Sequence, residues 1–351
     1  MMKHRLVEFL VTEMGFNIFA IEANMPEAYR INKYIMSDLV LDNYDYPKSL
    51  LKGMYFWTWN TQEVLDMINW MRQFNKRGAE KIQFTGFDMQ YYMGAMQNIA
   101  DYSNLSDHEL KIKTDTLSSL FEQLKQKGSQ SIQSKDEIAE LKSRCDEIQT
   151  YFIKNKRRII QKSDSSNYNW LLQNSTILVQ CLELAGKGNS GSFFRDESMA
   201  KNINWILENN PDSKIILWAH NGHVTKRVNQ MGYHLAKEYG NEYYNIGFLS
   251  NSGKYTAINS GSLNSNNNLE PGKPGSFEYE FHRTGTPLFY FDFSKVNDSE
   301  PDGLWLRSRL DYRSIGAVAF SDQFYPAVLS KQFNAIIFID STSATKCFVT
   351  R

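Results

Sequence analysis

The sequence is poor in the features that place a protein quickly. Its 351 residues include three cysteines, Cys145, Cys181 and Cys347. They are far apart and odd in number, which argues against a disulfide framework and a CxxC metal site. A reducing compartment is expected, with the cytoplasm as location. Charge of one sign is not in excess either. Lys plus Arg and Asp plus Glu both total 39, so the basic surplus that nucleic-acid binding leaves is missing. No apolar run approaches the roughly 18 residues that a bilayer span requires, and no secretory leader pattern is visible. Neither nucleic acid nor membrane is an expected partner. The sequence has no G-x-S-x-G elbow and no P-loop; its glycine-rich LAGKGNSGS stretch reads as a turn. No cofactor is expected.

What is present is the composition of an ordinary globular chain, 42% hydrophobic and 22% charged. Aromatic residues are plentiful, with 22 Phe, 19 Tyr and 7 Trp. They suit an aromatic-rich core or a pocket for a bulky organic molecule.

Hydrophobic spacing gives the organisation. MMKHRLVEFLVTEMGF places Leu6, Val7, Leu10, Val11 and Met14 at helical intervals and stops at Gly15. FNIFAIEA is strand-like and ends at Glu22, and NMPEAYRINKYIM then opens a helix with Asn24 and Pro26. The order repeats. TQEVLDMINWMRQFNKRG is a helix followed by the strand KIQFTGFDMQ, which ends at Asp88. KNINWILENNPDSKIILWAHNGHV is a helix, a turn and a strand. Later candidate strands are YYNIGFLS, KYTAIN, PLFYFDF, AVAF and NAIIFIDS. The expected fold class is α/β, a mostly parallel central sheet flanked by helices. Residues 1–100 and 193–351 form its core, and residues 101–192 an inserted helical subdomain or lid. In that insert Ile138, Leu141, Cys145, Ile148 and Phe152 follow 3-4-3-4 spacing, the seam of a packed helical hairpin. SGSLNSNNNLEPGKPGS, residues 260–276, is expected to be a long flexible loop, a flap beside a site or a disordered connection.

Ligands of α/β sheets gather outside the carboxyl ends of the strands. Three expected strands end in reactive side chains: Glu22, Asp88, and His220 with His223 in WAHNGH. A carboxylate there often caps the next helix. The two histidines admit three roles: ligands of a metal completed by the carboxylates, an acid/base and orienting pair, or imidazoles bonded to nearby carbonyls.

GFNIFAIEAN with YRINKYI, WTWNTQEVLDMINWMRQFN, IQFTGFDMQ, FRDESMAKNINWIL, ILWAHNGHV and YRSIGAVAF occur in one order over nearly the whole chain. In this the sequence resembles the erythromycin esterase family. The resemblance implies an α/β core, a helical subdomain, and hydrolysis of the lactone ester of a macrolide or of a related ester. Catalytic residues carried over are Glu22, His220, His223 and a basic residue of the first helix, for which Arg5 and Lys3 are both in position. Lys3, Asp88 and Asn221 are expected to meet the substrate, Trp59 is expected to line the cleft or pack in the core, no metal is expected, and Arg195 and Asp196 fall in family blocks without an assigned role. The family also has a leading strand with a G-E-x-x-H-G motif carrying its base histidine, whereas this sequence opens at MMKHRL. Two expectations follow: a shortened reading of a longer hydrolase, or a variant that binds a macrolide or other lipophilic ligand without turnover. His4 lies on a helix and not at a strand end, so it is not expected to replace that base. Without a nucleophilic serine or cysteine, direct attack by water is the expected chemistry.

Overall fold

The computed structural model describes residues 2–37, 45–106, 108–126, 134–296 and 301–348. The chain divides into two compact units, Met2–Tyr55 with Ile68–Trp218, and Phe56–Met67 with Ala219–Arg351.

The first unit is built on a three-stranded parallel sheet. Its strands are β1 (Ile18–Asn24), β2 (Gln83–Asp88) and β3 (Ile215–Trp218), in the order β2-β1-β3. Its helices are α1 (Met2–Met14), α2 (Met25–Met36), α3 (Tyr46–Lys52), most of α4 (Gln62–Arg77), α5 (Met93–Ser106), α6 (His108–Gln126), α7 (Lys135–Lys154), α8 (Lys156–Lys162), α9 (Ser165–Gly186) and α10 (Gly191–Glu208). Apolar spacing explains them. In α1, Val7 and Val11 lie four apart and are both buried, while Arg5 and Phe9 point outward. Gly15 ends the helix at φ +69°, a conformation only glycine adopts cheaply. In β1 six of seven residues are buried, the continuous pattern of a central parallel strand, and Glu22 is the exception. The hairpin seam falls where its spacing places it: Leu141, Cys145, Ile148 and Phe152 are buried on α7, which packs against α9. Burial raises both internal thiols, Cys145 and Cys181, to about 12, so neither is a nucleophile.

The second unit holds a four-stranded sheet, β5-β4-β9-β6, from β4 (Ile246–Asn259), β5 (Ser262–Leu269), β6 (Leu288–Asp292) and β9 (Ala335–Thr342). β7 (Leu310–Arg313) and β8 (Phe324–Ala327) form a two-stranded sheet of their own. Helices α11 (Asn221–Val224), α12 (Met231–Tyr239), α13 (Phe277–Arg283) and α14 (Leu329–Gln332) complete it.

A single, mostly parallel central sheet is therefore not what forms. β1, β2 and β3 are joined by helical crossovers and pair in parallel. β4 and β5 are joined by a tight turn and pair antiparallel, β6 is antiparallel to β9, and only β4 with β9 is parallel. YYNIGFLS and KYTAIN are one long strand, passing through Gly253 at φ +122°, where a Cβ would stand 2.0 Å from the Thr342 carbonyl oxygen. The segment expected as a flexible loop contains β5. Ser260 and Gly261 both take positive φ between the paired residues Asn259 and Ser262, which is the two-residue hairpin turn that matches sheet twist. AVAF forms no strand; Ala317 and Ala319 instead bond the main chain of Ile258 as an isolated bridge.

Candidate functional site

In the first unit the carboxyl ends of β1 and β2 lie side by side, with Asn24 opposite Asp88 across a register shift, and Trp218 at the end of β3 opposite Ile21. Glu22 and Asp88 thus share one edge of the sheet. The group that joins them is Arg195. It stands on the face of α10 that also carries the buried Met199 and Asn202, at spacings of four and seven residues. Asn202 fixes that face by donating to the Phe87 carbonyl at 3.0 Å. Arg195 grips Asp88 with two donors, Nε to Oδ1 at 3.0 Å and Nη2 to Oδ2 at 2.7 Å. The same Nη2 reaches Glu22 Oε1 at 2.9 Å. Asp88 also accepts the Met89 amide at 2.8 Å and is fully buried. Such a fork geometry is what only arginine offers. Burial works to lower the Arg195 pKa, but Asp88 and Glu22 outweigh it and hold the guanidinium above its ordinary value. Asp88 is therefore not a helix cap.

Lys3 joins this group from α1. Its Nζ lies 5.0 Å from the Trp218 ring centre, a cation–π contact. Burial lowers its pKa to about 8, while Glu22 pulls it upward. Between the two basic residues that α1 offers, the structure brings Lys3 to Glu22 and leaves Arg5 exposed. The spacing carried this distinction, since Lys3 is four residues before buried Val7 and eight before Val11. His4 lies 3.3 Å from the Glu8 carboxylate and edge-on to Trp70.

In the second unit His220 and His223 occupy the start of α11. His220 is its N-cap: Nδ1 accepts the Gly222 amide at 3.0 Å, and Nε2 lies 2.6 Å from the Ile315 carbonyl oxygen. A nitrogen that accepts carries no proton, and a carbonyl only accepts. In this geometry the imidazole is neutral with its proton on Nε2. The His223 ring lies 6.4 Å from it, nearly perpendicular. Asn221 spends both ends of its amide on Phe248, donating to its carbonyl at 2.8 Å and accepting its amide at 3.1 Å. It thereby fastens α11 to β4. Trp59 is buried. No group of three or more His, Cys, Asp or Glu side chains is arranged to hold a metal among the described residues.

Sequence reasoning left Arg195 without a role. The signal available was its place in FRDESMAKNINWIL together with two strand-end carboxylates in want of a cation. A second internal carboxylate went unnoticed: Glu27, fully buried on α2, accepts from the Asn24 side chain and from the Gly94 amide. Burial raises its pKa against those bonds. It pins the starts of α2 and α5 beside the sheet edge.

The comparisons with known proteins bear on this arrangement. The chain is 24% identical over 386 residues to erythromycin esterase type II of Escherichia coli, covering 99% of this chain and 87% of the relative. It is 22% identical to the putative hydrolase YbfO of Bacillus subtilis (strain 168), covering 96% and 79%. Among solved structures, a Bacillus cereus protein superposes with a TM-score of 0.83 at 24% identity, covering 99% of this chain and 86% of that one. A histidine-to-asparagine mutant of an erythromycin esterase, in its open conformation, superposes with a TM-score of 0.70 at 16% identity, covering 99% and 87%. At these identities the superpositions speak for the fold. The erythromycin esterase family model matches residues 11–342, a span that takes in Glu22, Asp88, Arg195 and both histidines, and the chain belongs to that family.

Proposed function

We propose that the protein hydrolyses the lactone ester of a macrolide or a related ester by direct attack of water. The observation that carries this reading is Glu22, held by Arg195 at the carboxyl edge of the parallel sheet with Lys3 beside it. Glu22 orients the attacking water and takes its proton. Lys3, when protonated, polarises the carbonyl and stabilises the developing oxyanion. Its partial desolvation strengthens that interaction relative to water. Asp88 does not act on the substrate; it positions Arg195, and through it Glu22. His220 of the second unit has its ring nitrogens engaged by Gly222 and Ile315.

That commitment favours a second reading, retention of a lipophilic ligand without turnover. One experiment separates the two. Purified protein is incubated with erythromycin, and bound, free and ring-opened compound are measured by mass spectrometry. Hydrolysis predicts ring-opened product that gains one oxygen from labelled water, with no acyl-enzyme. Glu22→Gln is then expected to slow turnover by about 10²–10⁴-fold. Bound, unaltered erythromycin sinks the hydrolase reading for this substrate. A trapped acyl-enzyme overturns direct water attack.

A further inference from the structure

The proposed hydrolytic reading makes no use of the asparagine-rich hairpin of the second unit. β4 and β5 carry asparagines at 259, 264, 266, 267 and 268. With Tyr255 and the segment Ala319–Phe320–Ser321 they line a shallow, open hollow of about 380 Å³.

The asparagines do two different jobs. Asn267 is buried and serves as framework: its Nδ2 donates to the Asn264 carbonyl at 2.7 Å, and its Oδ1 accepts from Asn259 at 2.9 Å. Asn264 is tied in as well, its Oδ1 accepting the Asn266 amide at 2.8 Å. Asn266 and Asn268 differ. Both are exposed and, two apart on a strand, face the same side. Asn266 Oδ1 takes the Lys254 ammonium, which leaves its Nδ2 open to solvent. The Asn268 side-chain amide has no hydrogen bond among the described residues.

Phe320 lines the same hollow and is 60% exposed. It is not on a loose loop. The Ala317 carbonyl accepts from Ile258 at 2.8 Å, the Ala319 amide donates back to Ile258 at 2.9 Å, and Gln323 bonds the Tyr255 hydroxyl at 3.2 Å. An exposed aromatic side chain and primary amides thus line one hollow, on main chain bonded to β4.

The chemistry of this hollow selects its ligand. A primary amide offers a donor and an acceptor side by side, which matches vicinal hydroxyl groups. An aromatic face set next to them packs against the C–H face of a pyranose ring. The cavity is open and mostly polar, unlike the enclosed apolar pockets that hold lipophilic molecules. Its lining includes no carboxylate. We infer that the β4–β5 hairpin and Phe320 form a binding site for a neutral saccharide, free or as the glycosyl part of a larger molecule.

The test is saturation-transfer difference NMR on the whole protein with glucose, galactose, maltose and cellobiose, each at ~10 mM, enough for a Kd near 1 mM. The expected result is transfer to ring C–H protons of at least one sugar, lost in both Phe320→Ala and Asn268→Ala and kept in Phe320→Trp. Both lost positions are exposed, so far-ultraviolet circular dichroism should match the parent. No transfer from any of the four sugars overturns the proposal. So does transfer that survives both alanine variants. Because the readout is binding and not ester cleavage, a negative result here leaves the hydrolase reading standing, and absent hydrolysis leaves this one standing.

Discussion

Two polar constellations of this protein are fastened in opposite ways. In the first unit Glu22, Asp88 and Arg195 come from β1, β2 and α10 and hold one another, charge to charge. In the second, His220 and Asn221 are neighbours in sequence and hold main-chain groups at Ile315 and Phe248. The difference has consequences for tolerance. A buried charge that loses its partner stays buried and uncompensated, which costs far more than the pair contributed. A side chain clasped to backbone leaves behind main-chain groups that water or a small shift can satisfy. The first cluster should be brittle and the second forgiving.

Four measurements test that contrast, from the largest expected effect to the smallest. Arg195→Ala removes two donors from fully buried Asp88 and is expected to cost about 3–5 kcal/mol of stability. Urea denaturation reads this directly, and a loss below about 1 kcal/mol would mean that the ion pairs do not hold the sheet edge. Asn221→Ala breaks two bonds to Phe248 and should cost about 1–3 kcal/mol. An equal or greater loss than for Arg195→Ala would reverse the comparison.

The third concerns Glu278 on α13, a carboxyl of the second unit that is wholly buried. It accepts the Arg313 amide at 2.8 Å through Oε1, while Oε2 has no partner among the described residues. Burial raises its pKa from 4.5 to about 7. The folded state therefore keeps a proton that the unfolded chain has released between those values. Stability should fall as pH rises through that window and level off above it. In Glu278→Gln that slope should vanish from the melting temperature; a slope unchanged from the parent would show that Glu278 is not its source.

The smallest effect belongs to Lys3. Lys3 is only half-buried, so solvent screening discounts its effect: burial lowers its pKa from 10.5 to about 8, and between those values the unfolded chain binds the additional proton and stability rises with pH. Activity should move the other way, because only protonated Lys3 polarises a carbonyl. Turnover is expected to decline above about pH 8, and Lys3→Arg should carry it to higher pH. A profile identical in Lys3→Arg would place the titrating group elsewhere.

Local elements were legible where one face is buried and the period is clean. α1, β1, α2, β2 and β3 fall where hydrophobic spacing puts them, and so does the α7 seam. Reading failed where a polar segment owes its structure to pairing. β5 looks like a flexible linker because asparagine and serine disfavour strands. It forms because Ser260–Gly261 makes the turn, and β4 supplies the ladder. AVAF failed in reverse: it has the residues of a strand and only an isolated bridge to pair with.

The sequence by itself determined the family, the first unit's alternation of helix and strand, and the residue types at the strand ends. Those are properties of one stretch of chain at a time, set by period, propensity and turn chemistry. Tertiary structure alone decided that Arg195 binds Glu22 and Asp88, from positions 173 and 107 residues away. It also decided that the later strands form a separate mixed sheet and that His220 turns both ring nitrogens to the main chain. These outcomes depend on which donors and acceptors remain unpaired once the sheets are assembled. No local pattern encodes that, because a buried polar group takes whatever partner the fold brings within reach.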